Sequence, residues 1–228
     1  FLNRITMTLF SPSSTWISEE HHLFSESVQK FYKKEMVPNI EKWNENGIVD
    51  REFWSKAGDA GIMGGSVAEE YGGSGGDIGF DSVALYEQAR AGDGSWGYGI
   101  QSIVIHYVSS YGSDEQKTEW LPKLVSGEKI GALAMTEPGA GSDVQSITTS
   151  AQKDGNQYTI NGSKIFITNG QSADLVIVTS KTDKNEGAKG VSLIMVDTSE
   201  ADGFRRGKNL KKLGLKGNDT SELFFENV

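Results

Sequence analysis

The sequence predicts an α+β protein of two domains, with an all-α N-terminal domain over residues 1–128 and a β-domain over residues 129–228. Three observations lead to this prediction. Apolar residues recur at helical spacing up to Lys129, short runs of strand-forming residues begin at Ile130, and turn dipeptides separate these runs. We place the domain boundary at this change of pattern, near residues 126–129. A chain of 228 residues is long enough to bury a sizeable core.

The first helix is predicted over residues 17–36. Ser18 is a suitable N-cap, and Pro38 should end or kink the helix because proline restricts the residue before it. The apolar positions that recur at helical spacing are Phe24, Val28, Phe31 and Tyr32.

Two further helices are predicted over residues 51–60 and 80–91. The apolar face of the second consists of Val83, Leu85, Tyr86 and Ala89. Between the two helices lies a glycine-rich stretch, residues 69–77. Its glycines alone predict a flexible surface connection.

Residues 95–111 are typical of a buried helix. Ser113, followed three residues later by Gln116, forms a capping box for one more helix that should end near Leu124. His106 lies on the buried helix, and we interpret it as a core or pocket-wall residue rather than a catalytic base. The inward positions of this helix are predicted to be Ile100, Ile103, Val104, Tyr107 and Val108.

In the second half, residues 175–178 are apolar at every position, which predicts a central strand buried on both faces. Residues 191–196 and 222–228 are predicted to form further strands. Hairpin turns are indicated where glycine follows Asp154, Asn161 and Asn169.

The composition excludes several classes of function. There are 22 basic and 31 acidic residues, a net charge of −9, so no nucleic-acid partner is expected. The absence of cysteine excludes disulfides, thiolate catalysis and cysteine-ligated metals, and is compatible with the cytoplasmic location that we expect. The histidines lack metal-ligand spacing, so no metal site is predicted. No apolar run reaches the roughly 20 residues of a membrane span, so no membrane association is expected.

The stretch from Ala134 to Asp143 is the strongest candidate for a binding loop. Pro138, Gly139 and Gly141 interrupt regular structure and leave backbone N–H groups free. Such a loop can approach a flat or phosphorylated ligand closely. It fits neither the P-loop nor the dinucleotide-binding glycine pattern. The alternative is an ordinary glycine-rich turn between strands.

The residues from Thr136 to Asp143 read Thr-Glu-Pro-Gly-Ala-Gly-Ser-Asp and closely resemble the signature of the acyl-CoA dehydrogenase family. A second matching segment, from Asn161 to Gly170, follows at the right distance. The resemblance covers residues 18–228 and is closest to the long-chain-like branch, judging by residues 212–216 and 219–225. It implies a helical N-terminal domain followed by a β-barrel-like middle domain. The family carries a stretch similar to residues 69–76, so the resemblance also implies an ordered turn there rather than a flexible connection.

The resemblance also implies a site for FAD. Residues matching Thr136 and Thr168 hydrogen-bond the flavin ring in the family, and the residue matching Phe166 flanks it, although many members carry Trp there. Alternation along the strand would put Phe166 and Thr168 on one face, opposite Ile165 and Ile167; without the resemblance, Phe166 could equally pack on the core. The implied cofactor-binding residues are Leu133, Met135, Thr136, Gly141, Ser142, Phe166, Ile167 and Thr168. Ser142 also matches a position along which the acyl-CoA passes.

The implied reaction is α,β-dehydrogenation of an acyl-CoA thioester to the trans-2-enoyl-CoA, as in fatty acid β-oxidation. In the family a glutamate of a C-terminal helical bundle is the base. We expect that glutamate to lie beyond Val228, so the present chain is a truncated form with no catalytic base of its own. Glu137 and Asp143 are interpreted as residues that order the loop. The implied partners are acyl-CoA and electron-transferring flavoprotein, and the full-length form is expected to be a homo-oligomer.

Two alternatives stay open at this point. An acyl-CoA oxidase or flavin monooxygenase of the same fold would pass electrons to oxygen. A non-catalytic binding or assembly module would need no base. Gly97 and Gly99 match the floor of the acyl pocket in the family, where small residues would leave room for a longer chain; the sequence does not fix the chain length.

Overall fold

The structure is a computed structural model that describes residues 15–228. Its first half is helical and its second half is a sheet, in agreement with the predicted fold class. The six α-helices are α1 (Glu19–Phe31), α2 (Ile40–Asn46), α3 (Arg51–Asp59), α4 (Ile78–Arg90), α5 (Tyr98–Tyr111) and α6 (Asp114–Val125). None of the helices in the described range is long and apolar enough to cross a membrane.

Helix α1 begins as predicted. The Ser18 side chain accepts a hydrogen bond from the backbone N–H of His21, and the His21 ring accepts one from the Ser18 N–H. The α-helical pattern then widens to a π-helical turn, Tyr32–Met36, and tightens to a 3₁₀ turn, Val37–Asn39. Pro38 lies in that turn. Proline has no N–H to donate, so it cannot continue the α-helical hydrogen-bond pattern. The predicted break in the helix at Pro38 is confirmed.

Helix α4 buries a different face from the predicted one. Of the predicted set, Val83 is buried, whereas Leu85 is 39% exposed. The buried positions also include three polar residues outside the predicted apolar face, Asp81, Glu87 and Gln88. These polar side chains are buried because each has hydrogen-bond partners within the helical domain.

Helix α5 packs between the other helices and the sheet. Val104 and Val108 are buried as predicted, but Ile103 is 41% exposed and Ile105 is buried instead. Gln101 is fully buried: its amide donates to the carbonyls of α6 and the following loop, and its oxygen accepts from the Gly131 N–H at 2.6 Å. The helix is therefore fixed directly to the first strand.

The glycine-rich stretch before α4 is an ordered turn, not the flexible connection that its glycines predicted. A 3₁₀ turn, Glu69–Tyr71, is followed by backbone hydrogen bonds from Gly75 to Val67 and from Gly76 to Gly65, both at 2.8 Å. The family resemblance had implied such an ordered turn.

The second half forms a curled half-barrel sheet of seven strands. The strand order is β1-β4-β2-β3-β7-β6, and β5 pairs with β4. The central strand β4 is buried at six of its seven positions, which confirms the prediction for residues 175–178. The strands are β1 (Gly131–Ala134), β2 (Ser150–Asp154), β3 (Gln157–Thr168), β4 (Leu175–Lys181), β5 (Val191–Asp197), β6 (Phe204–Asn209) and β7 (Thr220–Glu226). Strand β6 was not predicted.

Only one of the three predicted hairpin turns is a hairpin. The turn after Asp154 connects the antiparallel strands β2 and β3. Asn161 and Gly162 lie inside β3, where an added side chain on Gly162 would collide with Thr149. Asn169 directly follows β3 with a φ of 62°, and its amide donates to the carbonyls of Gly97 and Gly131. That residue connects the sheet to the helical domain instead of starting a hairpin.

Candidate functional site

The loop after β1 is held by a buried ion pair. Glu137 accepts hydrogen bonds from Lys164 Nζ at 2.9 Å, from the Thr148 N–H at 2.6 Å and from the Thr149 N–H at 3.0 Å. Lys164 also donates to the Met135 carbonyl at 3.0 Å, and its side chain is fully buried. The pair thus fastens the loop to β3 and to the segment before β2. Glu137 has the loop-ordering contacts that the sequence interpretation requires.

Glu137 is ionised at neutral pH. Burial opposes ionisation, but hydrogen bonds from Thr149, Lys164 and Thr148 outweigh it and lower the pKa of Glu137 from its ordinary value of 4.5 to about 2. Burial lowers the pKa of Lys164, and the neighbouring carboxylate opposes this only in part. A carboxylate with so low a pKa and so many donors is a poor proton acceptor, so Glu137 is unsuited to act as a general base.

The outer part of the same loop is open. A Cβ added to Gly139 or Gly141 would meet no atom within 4 Å. Within residues 15–228, no acceptor takes the backbone N–H groups of Thr136, Gly141 and Ser142. The Thr136 hydroxyl donates to the Ile165 carbonyl at 2.6 Å, which leaves its oxygen free to accept. The loop therefore presents unused donors on a surface that a ligand can approach.

Strand β3 carries a β-bulge next to this loop. Three residue steps on β3, from Lys164 to Ile167, oppose two steps on β7, from Leu223 to Ser221. The extra residue is accommodated at Phe166, whose φ is 60° and whose side chain is 66% exposed. Strained backbone at a bulky residue persists only where the surrounding structure imposes it, and it is concentrated at functional sites. The bulge directs an aromatic ring outward beside the open loop.

Phe166→Gly should leave the free energy of unfolding unchanged or raise it by up to about 2 kcal/mol. A left-handed φ costs a non-glycine residue about 1–3 kcal/mol, and the exposed ring buries little apolar surface. Phe166→Ala, which removes the ring but keeps the strain, is the matched control and should be about 1 kcal/mol less stable than the glycine variant. Urea denaturation measures both. A glycine variant less stable than the alanine variant would contradict the strained conformation.

A cavity of about 640 Å³ lies between α4 and α5 and reaches β3 at Thr168. The two helices run antiparallel: Gln88 near the end of α4 donates to the Trp96 carbonyl just before α5, and Asp81 near the start of α4 accepts from Ser102 farther along α5. The cavity residues recur at helical spacing on both helices, with Ile78 and Leu85 on α4 and Gly99 and Ile103 on α5. The resulting slot is mostly apolar, and Thr168 is part of its lining.

Asp81 is the centre of a polar cluster in the wall of this cavity. Its carboxylate accepts from the Tyr98 hydroxyl at 2.6 Å, from Ser102 at 3.0 Å and from Ser66 at 3.1 Å. His106 Nε2 lies 3.4 Å from the same carboxylate and 3.4 Å from the Ser66 oxygen. A Ser-His-Asp triad uses both ring nitrogens, so this cluster is not one. His106 lines the cavity. The sequence predicted a place either in the core or in a pocket wall, and the structure shows the second.

The structure brings together most of the sequence-predicted site residues. Thr136, Gly141 and Ser142 lie on the open loop, and Phe166 and Thr168 lie on the adjoining end of β3. Two others contribute no side chain to this surface. Leu133 packs against the core between α5 and the sheet, and Ile167 is 2% exposed in the core of the β-domain, so each could offer a ligand only its backbone. Asp143 is turned toward Ser146, which hydrogen-bonds its carboxylate.

Comparison with known proteins agrees with this geometry. Residues 18–128 match the family described as acyl-CoA dehydrogenase, N-terminal domain, and residues 132–228 match the one described as acyl-CoA dehydrogenase, middle domain. The chain belongs to the acyl-CoA dehydrogenase family. A long-chain specific acyl-CoA dehydrogenase, described as mitochondrial, from Sus scrofa is 46% identical over 214 residues, which is 92% of this chain and 50% of that relative.

Solved structures of the family have the same fold. An acyl-CoA dehydrogenase from Geobacillus kaustophilus superposes with a TM-score of 0.90 at 45% identity, covering 94% of this chain and 57% of that one. A glutaryl-CoA dehydrogenase from Mycobacterium smegmatis in complex with FADH2 gives 0.85 at 31% identity, covering 93% and 54%. The chain spans about half the length of the curated relatives that it matches.

The exposed surface fits the ring of a flavin. Unused backbone N–H groups and a free hydroxyl oxygen on the loop can pair with the polar edge of a flat heterocycle, and the exposed Phe166 ring beside them can cover a face. Members of this family use flavin. Among residues 15–228, no cluster of three or more His, Cys, Asp or Glu side chains could hold a metal ion.

Proposed function

We propose that the protein to which this chain belongs is an FAD-dependent acyl-CoA dehydrogenase that converts a saturated acyl-CoA into the trans-2-enoyl-CoA. The observation that carries the proposal is the position of Thr168. It ends the strand that bears the exposed Phe166, and it is also one of the residues that line the apolar cavity between α4 and α5. One residue therefore joins a surface suited to a flavin to a slot suited to an acyl chain.

FAD, when bound, would accept the β-hydrogen of the substrate as a hydride. The backbone N–H groups of Thr136, Gly141 and Ser142 and the hydroxyls of Thr136 and Thr168 would hold and orient the cofactor, with Phe166 against it. Ser142 would also contact the passing acyl-CoA. The cavity would hold the acyl chain against an apolar lining.

The proton at the α-carbon needs a base that residues 15–228 do not offer on this surface. Glu137 is locked in its ion pair, and Asp143 accepts from Ser146. We therefore keep the implication of the family resemblance, that a glutamate beyond Val228 removes this proton.

The decisive experiment uses this chain extended by the C-terminal domain of the Sus scrofa relative. Anaerobic addition of acyl-CoA thioesters of graded length should bleach the flavin absorbance of the reconstituted protein and yield enoyl-CoA. A flavin-loaded protein that is bleached by no acyl-CoA would overturn the proposal and favour a non-catalytic binding or assembly module.

The electron acceptor separates dehydrogenase from oxidase. We propose electron-transferring flavoprotein as the acceptor, on the basis of the family resemblance. Reoxidation of the bleached flavin should then be slow in air and fast with that flavoprotein. Rapid reoxidation in air would favour an acyl-CoA oxidase or monooxygenase. A homo-oligomeric full-length form and a cytoplasmic location are proposed on the sequence alone.

Thr168→Val should weaken flavin binding or slow flavin reduction in the extended protein by about 1–3 kcal/mol. The change keeps the shape of the side chain and removes its hydroxyl, which has no partner within the described residues. Flavin titration and the rate of bleaching measure the effect. Thr159→Val, elsewhere on β3, is the matched control. Equal values for parent and Thr168→Val would mean that Thr168 only ends the strand.

A further inference from the structure

The cavity between α4 and α5 is polar at both ends. Thr168 precedes Asn169, whose amide donates to the Gly97 carbonyl at the start of α5, and His106 lies nine residues along the chain from Gly97. At a rise of 1.5 Å per residue, this places His106 about 13 Å along the slot from the end near Thr168. Apolar side chains of Leu85, Ile100 and Ile103 lie between the two ends.

His106 has hydrogen-bonding capacity that the protein does not use. Its Nε2 faces the Asp81 carboxylate at 3.4 Å, whereas its Nδ1 has no partner within the described residues. The other polar side chains of α4 and α5 in this wall are already paired. Ser102 donates to Asp81, and Gln88 donates to Asp93 and to the Trp96 carbonyl. With the proton on Nε2, the free Nδ1 can accept a hydrogen bond from a ligand hydroxyl.

The charges of the cavity select a neutral partner group. Asp81 and Asp93 both line it, and no Lys or Arg side chain does. A carboxylate at the far end of a ligand would meet the Asp81 charge with no cation to offset it. A hydroxyl would add no charge and would donate a hydrogen bond to the unpaired Nδ1 of His106.

We infer that the distal end of the cavity recognises an acyl chain that carries a hydroxyl group remote from the thioester, and that His106 is the specificity-determining residue for it. This inference rests on the proposed function, since the cavity is taken as the acyl site. A plain chain would still fill the apolar middle of the slot. A chain with a terminal hydroxyl would in addition pair with His106 Nδ1, and a dicarboxylic chain would be disfavoured.

The test uses this chain with FAD in excess. Calorimetry would compare CoA thioesters of octanoic, dodecanoic and hexadecanoic acids, each with and without a terminal hydroxyl. At the length that reaches His106, the hydroxylated ligand should bind about three- to tenfold more tightly. Nitrogen NMR of the His106 ring should show a shift of Nδ1 with that ligand alone.

Three variants identify the source of the preference. His106→Leu should abolish it, and His106→Gln, which retains a hydrogen-bonding group, should restore part of it. His22→Leu makes the same change on the exposed side of α1 and should leave it intact. Equal affinities for plain and hydroxylated chains at every length would overturn the inference and leave the dehydrogenase proposal standing. Failure to bind any acyl-CoA would overturn the inference and the acyl site together.

Discussion

Lys164→Met should lower the free energy of unfolding by about 3–5 kcal/mol. The substitution fills a similar volume but leaves the Glu137 carboxylate buried without its cation. It also removes the donor to the Met135 carbonyl, so two segments that the lysine holds together lose their common partner. Urea denaturation followed by circular dichroism measures the loss. Lys184→Met, at an exposed loop position, is the control and should change stability by no more than about 0.5 kcal/mol.

A double-mutant cycle distinguishes the ion pair from simple packing. Combining Lys164→Met with Glu137→Gln removes both charges, so the double variant should lose less stability than the sum of the two single losses, by about 0.5–3 kcal/mol. Additive losses would mean that the two side chains do not interact and would contradict the contact in the structure.

The fold was predictable where local signals agree with tertiary packing. The N-cap at Ser18, the capping box at Ser113, the break at Pro38 and the apolar run of β4 each have a cause within a few residues of sequence. The inward face of α4 and part of that of α5 were not predictable, because a search for apolar periodicity does not select polar residues such as Asp81 and Gln88. Their burial depends on partners contributed by distant segments, such as Tyr98 and Trp96.

The candidate site likewise has parts that the sequence could predict and parts that it could not. The open loop could be found because glycine, proline and hydroxyl residues are concentrated within ten positions, and its family motif is specific. The bulge at Phe166 was missed, since it depends on the register between β3 and β7. Lys164 was also missed. The only signal for Lys164 was that it is a charged residue in an otherwise neutral part of the strand. A buried lysine needs a partner of opposite charge, but the sequence did not indicate which residue that partner is.

A second large effect is expected in acid. The folded-state pKa of Glu137 is about 2 against an ordinary value of 4.5, so the ionised carboxylate is favoured by folding. A depressed pKa gives stability that is fully present above the unfolded value and is lost as the pH falls toward the folded value. Between these two values, Glu137 should contribute a loss of about 3 kcal/mol. The measurement is the free energy of unfolding in urea from about pH 7 to about pH 2.

Glu137→Gln isolates this contribution from the other carboxylates. The variant should be less stable than the parent at neutral pH, and the difference should shrink as the pH falls below 4.5, because protonated Glu137 is equally uncharged. Asp219 provides a comparison of opposite sign. Burial raises its pKa above 3.8, outweighing hydrogen bonds from Gln171 and Ser172, so its contribution is present at low pH and is lost as the pH rises. The stability of Asp219→Asn relative to the parent should therefore be higher at neutral pH than in acid. A difference between Glu137→Gln and the parent that stays constant from neutral pH to about pH 2 would show that the ion pair does not hold the pKa of Glu137 down.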